Sequence, residues 1–355
     1  MSTKHFPIGM AIVSALAAHA SWAQTPKNSA EIYGRIDLSM DSRTNPTNSI
    51  LSQTDNASRL GVKGSRATDS GLTLYYGLEM GVAADSGNLT SPNFRNAYVG
   101  AQTSLGKFAM GRLDSANPTG SPLYSQITRN ISFVVHDAGA TAVGTSVLNA
   151  RNRTSNSIGY MSPTVGGFDV RARYYYFGND GTSSVTSTGT TNVASPGTGL
   201  TESDLKQIDI GLNYNQKSWG LGIGYGSDSK AGGFATNDFT DKWQLVGSYD
   251  FGLLKWSALL GQDNYNNTTT ARSAVRYQLM GVSVPVGSNG NVVANYMERE
   301  VQTDRNGKLT RLQMGYSHKI DKNALVYLLW DRQDPNTNVG KNEFSTLSTG
   351  IQINF

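Results

Sequence analysis

Charge, rather than a nucleophile or a metal, is the chemistry this chain has to offer. Of its four histidines, His5 and His19 fall within the first 23 residues, and only His136 and His318 lie beyond them. Neither sits in a recognisable serine or aspartate motif, and a general base or nucleophile needs such a partner within hydrogen-bond reach. Cysteine is absent, which excludes thiol chemistry and disulfides, and two histidines alone make a poor metal site. Gly-rich phosphate loops are missing too, so no cofactor is implied. What remains is a set of arginines: Arg35, Arg59, Arg95 and Arg153. Arginine stays charged at any relevant pH and offers an anion a fixed donor fork. Lys63, Arg171 and Arg173 could extend such a basic track, while Asp37 and Glu79 could moderate it.

Whether these groups meet depends on the elements that carry them. Ile32, Gly34, Ile36, Leu38 and Met40 alternate with Tyr33, Arg35, Asp37 and Ser39. Leu72, Leu74, Tyr76, Leu78 and Met80 alternate with Thr73, Tyr75, Gly77 and Glu79, and Ile208, Ile210, Leu212 and Tyr214 with Gln207, Asp209, Gly211 and Asn213. Segments of about ten residues, apolar on one face and polar on the other, are the signature of a transmembrane β-barrel. The polar parity, which faces the lumen, holds all nine charged residues named above. Arg112 falls on the outward parity, an expensive place if it met lipid. Tyr174, Tyr176, Trp219, Tyr225, Trp243, Tyr249, Phe251, Trp256 and Phe355 share the apolar parity, mostly near strand ends, as interfacial girdles would. A secreted binding sandwich also alternates, but its strands are usually shorter.

The links sort by length. Short ones are predicted at residues 67–70, 104–107, 163–167, 215–218, 287–291 and 321–323. Long polar ones are predicted at 41–57, 113–152, 178–205, 226–241, 264–274, 299–308 and 331–343. Short turns at one end and long loops at the other describe an up-and-down antiparallel barrel. Residues 24–355 then form one closed sheet with no open edge for lipid to meet. Residues 1–23 have a basic start, an apolar run and small residues near Ala23, which is the pattern of a cleaved signal peptide. The formal charge of +4 gives no footprint for nucleic acid.

The final segment alternates to its end, with Ile351, Ile353 and Phe355 on the apolar face. Blocks along the whole chain resemble the general porins of Gram-negative bacteria, nearest their β-proteobacterial branch. They include Ile32-Tyr33-Gly34-Arg35, Ser58-Arg59-Leu60-Gly61, Arg95-Asn96-Ala97-Tyr98, Ser248-Tyr249-Asp250-Phe251-Gly252 and Gly281-Val282-Ser283-Val284-Pro285. This resemblance implies an all-β barrel of about sixteen strands, a homotrimer in the outer membrane, and a long third loop folded into the pore. That loop would be 113–152, whose Ile131, Phe133, Val134 and Val135 need a surface to pack on.

The same resemblance makes Arg35, Arg59, Arg95 and Arg153 the basic side of a pore constriction and the Ile351, Ile353, Phe355 ending a signal for the barrel-assembly machinery. The outward parity of Arg112 makes it a candidate subunit contact, which would relieve the cost of facing lipid. Outer-membrane lipid, lipopolysaccharide, small hydrophilic solutes and ions are the implied partners. The loop departs from the family pattern, because it lacks the usual Pro-acidic-Phe-Gly element. Its only acids are Asp114 and Asp137, against Arg129 and Arg151. A passive channel preferring anions is therefore expected, with Asp137 the acid to face the basic wall. A sugar-specific channel would carry an aromatic series along its lumen, and Tyr75, Tyr175 and Phe177 form none.

Overall fold

A computed structural model describes residues 28–114, 119–135, 153–179, 201–230, 233–234, 238–266, 274–302, 307–335 and 343–355. The expected signal peptide, His136 and Asp137 lie outside them. The strands, numbered here as staves of a barrel, are β1 (Ser29–Thr44), β2 in two pieces (Ser49–Asp55 and Arg59–Ala67), β3 (Thr73–Ala83), β4 (Asn88–Thr103) and β5 (Gly106–Leu113). After helix α1 (Pro122–Asn130) come β6 (Thr154–Met161), β7 (Phe168–Asn179), β8 (Thr201–Asn215), β9 (Trp219–Lys230), β10 (Phe239–Asp250) and β11 (Lys255–Tyr265). β12 (Ala274–Val286), β13 (Gly290–Gln302), β14 (Gly307–Lys319), β15 (Ala324–Pro335) and β16 (Phe344–Asn354) complete the sheet. Both pieces of β2 pair with β1, so the segments make sixteen antiparallel staves, each beside its chain neighbour.

The ring closes where β1 pairs with β16 from Arg35↔Asn354 to Thr44↔Ser345. At the seam the Gly34 N–H donates to the Phe355 carbonyl at 2.9 Å, and the Phe355 N–H returns to Gly34 at 3.1 Å. The Phe355 ring lies over Gly34, where a Cβ would come within 2.3 Å of it.

Burial is inverted relative to a water-soluble protein. On β9 the outward Trp219, Leu221, Ile223 and Tyr225 are 42–59 % exposed, while Gly220, Gly222 and Gly224 face inward and are buried. Trp219 and Tyr225 stand six residues apart, about 20 Å along a strand, which suits the apolar band of a membrane barrel. Around Trp219 the rings of Tyr249 and Phe251 form one aromatic cluster, with centroids 4.5 and 4.6 Å apart. The side chain of Tyr176 lies outside the described residues.

Strands run farther than alternation implied. β1 and the first piece of β2 occupy most of the expected link 41–57, and β9 extends to Lys230 inside the link expected to start at 226. Beyond the girdle both strand faces meet water, so the ladder continues after the apolar period has ended. Two tight turns, 84–87 and 251–254, were not anticipated. Gly87 and Gly252 hold φ of 75° and 87° there, a region where a Cβ is strained.

Candidate functional site

The chain after β5 turns into the barrel instead of leaving it. Ser121 caps α1, its Oγ accepting from the Tyr124 N–H at 3.3 Å, and Pro122 occupies the first turn, where its missing N–H is harmless. The helix lies on the wall made by β7 to β11. Glycines make room for it. A Cβ on Gly220 would fall 2.2 Å from Asn130 Oδ1, and one on Gly222 2.9 Å from the Gln126 side chain. Gln126 Nε2 donates to the Leu212 and Ile223 carbonyls at 3.2 and 3.0 Å, and Gln244 Nε2 donates to the Leu123 carbonyl at 2.8 Å. Ser248 Oγ donates to Asn130 Oδ1 at 3.1 Å, and Asn295 Nδ2 to the Ser132 carbonyl at 2.8 Å.

Apolar contacts complete the seat. Tyr124, Ile127 and Ile131 pack with Val246, Leu259, Leu279 and Met297, and Phe133 borders them. Val134 and Val135 pack with Val293, Tyr327 and Leu329. These wall residues break the polar rule of the lumen because the loop covers them, and burying each side chain contributes about 1.5–3 kcal/mol. The expected wall contact of the loop is therefore present, and it reaches from β7 to β15.

The open lumen faces the remaining staves, which carry the arginines. Arg35 and Arg59 are register partners on β1 and β2. Glu79 on β3 accepts from Arg95 Nε at 2.8 Å and from the Tyr33 hydroxyl at 3.0 Å, and stands 3.8 Å from Arg59 Nε. Asp114 accepts from Arg153 Nε at 2.6 Å and lies 3.9 Å from Arg95 Nη2, while its own N–H donates to Asn96 Oδ1 at 2.8 Å. Arg59, Glu79, Arg95, Asp114 and Arg153 thus form a ladder of alternating sign, with Arg35 at one end held by Asn354 Oδ1 at 2.9 Å. Four guanidinium groups accompany two carboxylates. Asp37, buried farther along β1 and bonded by the Tyr327 hydroxyl at 2.9 Å, reduces that excess without cancelling it.

All four arginines of the basic set therefore come together. Asp114 stands at the root of the loop and inside the ladder, not across the lumen from it. The register of β3 and β4 shifts at Arg95, so Arg95 and Asn96 are both buried. Strict alternation hides a residue such as Asn96. Arg171 and Arg173 are lumen-facing but far from solvated: Arg173 pairs with Asp209 at 2.6 Å and Arg171 with Asp169 at 3.2 Å, all four buried. Lys63 is exposed near the short-turn end, 3.4 Å from Glu31 and over the Tyr33 ring. Arg112 is in register with Ala97, whose other partner is the outward Leu78, and its Nη1 donates to Ser155 Oγ at 2.9 Å. Ile351, Ile353 and Phe355 are outward and 43–59 % exposed.

Several participants were not foreseen. Arg129 of α1 pairs with Asp169 at 3.0 Å, and Lys242 with Asp263 at 3.0 Å in a site where both are buried. A readable signal was available for the seat. Trp219-Gly-Leu-Gly-Ile-Gly-Tyr-Gly226 strips one face of a strand of side chains, which a water-filled lumen would not require.

A family model described as Gram-negative porin matches residues 10–337. Outer membrane porin protein 32 of Delftia acidovorans is 25 % identical over 317 residues, spanning 87 % of this chain and 84 % of that protein. A second outer membrane porin protein, from Bordetella pertussis, is 23 % identical over 370 residues, spanning 89 % of this chain and 91 % of that one. Among solved structures, the anion-selective porin from Comamonas acidovorans aligns with a TM-score of 0.70 at 20 % identity, covering 93 % of this chain and all of that one. The trimer form of OmpT from Vibrio cholerae aligns with a TM-score of 0.68 at 15 % identity, covering 93 % and 100 %. At such identities the two structures speak to the fold alone.

Proposed function

The chain belongs to the Gram-negative porin family, and from that premise we propose an outer-membrane channel for passive diffusion whose preference is for anions over cations. The observation that carries the preference is the arginine ladder, in which guanidinium groups outnumber the carboxylates between them. Fixed cations beside a narrow water-filled path attract permeating anions and repel cations. Arg35, Arg59, Arg95 and Arg153 form the basic side of the constriction, and α1 with its neighbours narrows the lumen from the other side. Asp137 is the loop acid that would moderate the preference.

The finer assignments follow the same family logic. Three copies associate in the membrane, with Arg112 at the subunit contact, where a partner rather than lipid meets its charge. Residues 1–23 are removed as a signal peptide, and the Ile351, Ile353, Phe355 ending is read by the assembly machinery. Outer-leaflet lipid and lipopolysaccharide surround the trimer.

Purified protein in a planar bilayer under a potassium chloride gradient tests the selectivity directly. The expected reversal potential has the sign of chloride permeation and collapses toward zero for Arg59→Gln with Arg153→Gln. A wild-type potential of the potassium sign would overturn the anion preference.

A further inference from the structure

A second group of cations lies away from the ladder, at the short-turn mouth of the lumen. Of the nine residues of α1, all but Thr128 and Arg129 are buried, so the one charge the helix shows the open lumen is positive. The Arg129 side chain is 30 % exposed, and its Nη1 donates to Asp169 Oδ2 at 3.0 Å. Asp169 also accepts from Arg171 Nε at 3.2 Å and Asn213 Nδ2 at 2.9 Å. Lys255, on the inward parity of β11, donates from Nζ to the Arg129 carbonyl at 3.5 Å. Asp169, Asn213 and Lys255 each stand within two residues of a strand end at the short turns. Asp250, exposed and in register with Lys255, is the other acid beside them.

We infer that Arg129 and Lys255 form a second station for small anions, inorganic or carboxylate, in series with the ladder, while buried Arg171 neutralises the Asp169 that orients Arg129. This rests on the anion-preferring reading and adds a place to it. Asp169 aligns two guanidinium groups while balancing one of them, and Asp250 stands in register with Lys255, so three cations face two carboxylates and one positive charge remains. Conduction favours several weak sites over one strong one, because an ion must leave as readily as it enters. A station at the mouth raises the local anion concentration before or after the constriction.

The test uses the full chain in planar bilayers with a tenfold chloride gradient imposed in each direction. Screening lengths are about 30 Å at 0.01 M and about 10 Å at 0.1 M, so mouth charges act mainly when the dilute solution bathes them. Arg129→Gln and Lys255→Gln are each expected to lower the anion-to-cation permeability ratio about twofold in one gradient direction and little in the other. Lys255→Gln removes only the long 3.5 Å bond to the Arg129 carbonyl and leaves the Arg129–Asp169 pair and the apolar seat of the loop in place, so it decides the matter should Arg129→Gln disturb the seat. Wild-type anion selectivity with no directional loss in the Lys255 variant overturns the station and leaves the main reading standing. A cation-selective wild type overturns that reading itself.

Discussion

Replacing Arg153 by Gln removes one charge from the exposed end of the ladder, where its side chain is 20 % exposed and holds Asp114 at 2.6 Å. For an ion passing about 6 Å away in water, one unit charge is worth ~0.7 kcal/mol, with opposite sign for chloride and potassium. At 0.1 M salt, where the screening length is about 10 Å, roughly half survives, giving ~0.8 kcal/mol between the two ions. The anion-to-cation permeability ratio should therefore fall about fourfold at 0.1 M. At 1 M, with a screening length of about 3 Å, the loss should shrink to about 1.4-fold. Reversal potentials at the two salt levels measure both numbers. Arg153→Lys should restore most of the selectivity, because it returns the charge though not the fork. A loss that ignores salt, or no loss at 0.1 M, would refute the claim that exposed ladder charge sets the preference.

Three further perturbations probe the frame around the ladder. Gly222→Val places a Cβ 2.9 Å from the Gln126 side chain; the overpacking, about 1–3 kcal/mol, should unseat α1 and make single-channel current noisy while the barrel still resists detergent. Lys242→Met removes the cation that buried Asp263 pairs with and should cost about 3–5 kcal/mol, seen as a lower temperature for loss of compact gel mobility; adding Asp263→Leu should recover most of it. Deleting Phe355 removes the two backbone bonds to Gly34 and the ring above it. It should slow refolding into lipid vesicles that contain no assembly machinery, and an unchanged rate there would confine the residue's role to recognition in the cell.

Period-two alternation exposed the wall because each stave separates lipid from lumen, and Arg35, Arg59 and Arg95 could be placed on the inner face for that reason alone. The limits of that signal are equally physical. Strand ends were hidden, since past the girdle both faces of β1 and β9 meet water and lose their contrast. Asn96 was hidden by the register shift beside Arg95, which turns two successive residues inward. The partners Asp169, Asp209 and Asp263 were hidden because a lumen acid reads as solvated wall until its cation is known. Ile131, Val134 and Val135 announced that the loop must pack, yet their receiving surface, Val246 to Leu329, is assembled from separate strands that no local pattern links.

The ladder also shows why counting arginines misjudges selectivity. Four guanidinium groups on neighbouring staves repel, and a buried one is unstable without a carboxylate beside it. Glu79 and Asp114 supply those carboxylates, and Arg95, 10 % exposed between them, acts chiefly on its neighbours. On the proposed reading, permeating ions meet instead the arginines that flank this paired run, Arg59 and Arg153, at 17 % and 20 % side-chain exposure. Within the ladder, preference therefore follows the charge that remains at the exposed ends after the internal pairs are formed. An extra lumen arginine on a stave with its own acid, as Arg173 has in Asp209, adds rigidity to the wall and almost nothing to the field an ion feels.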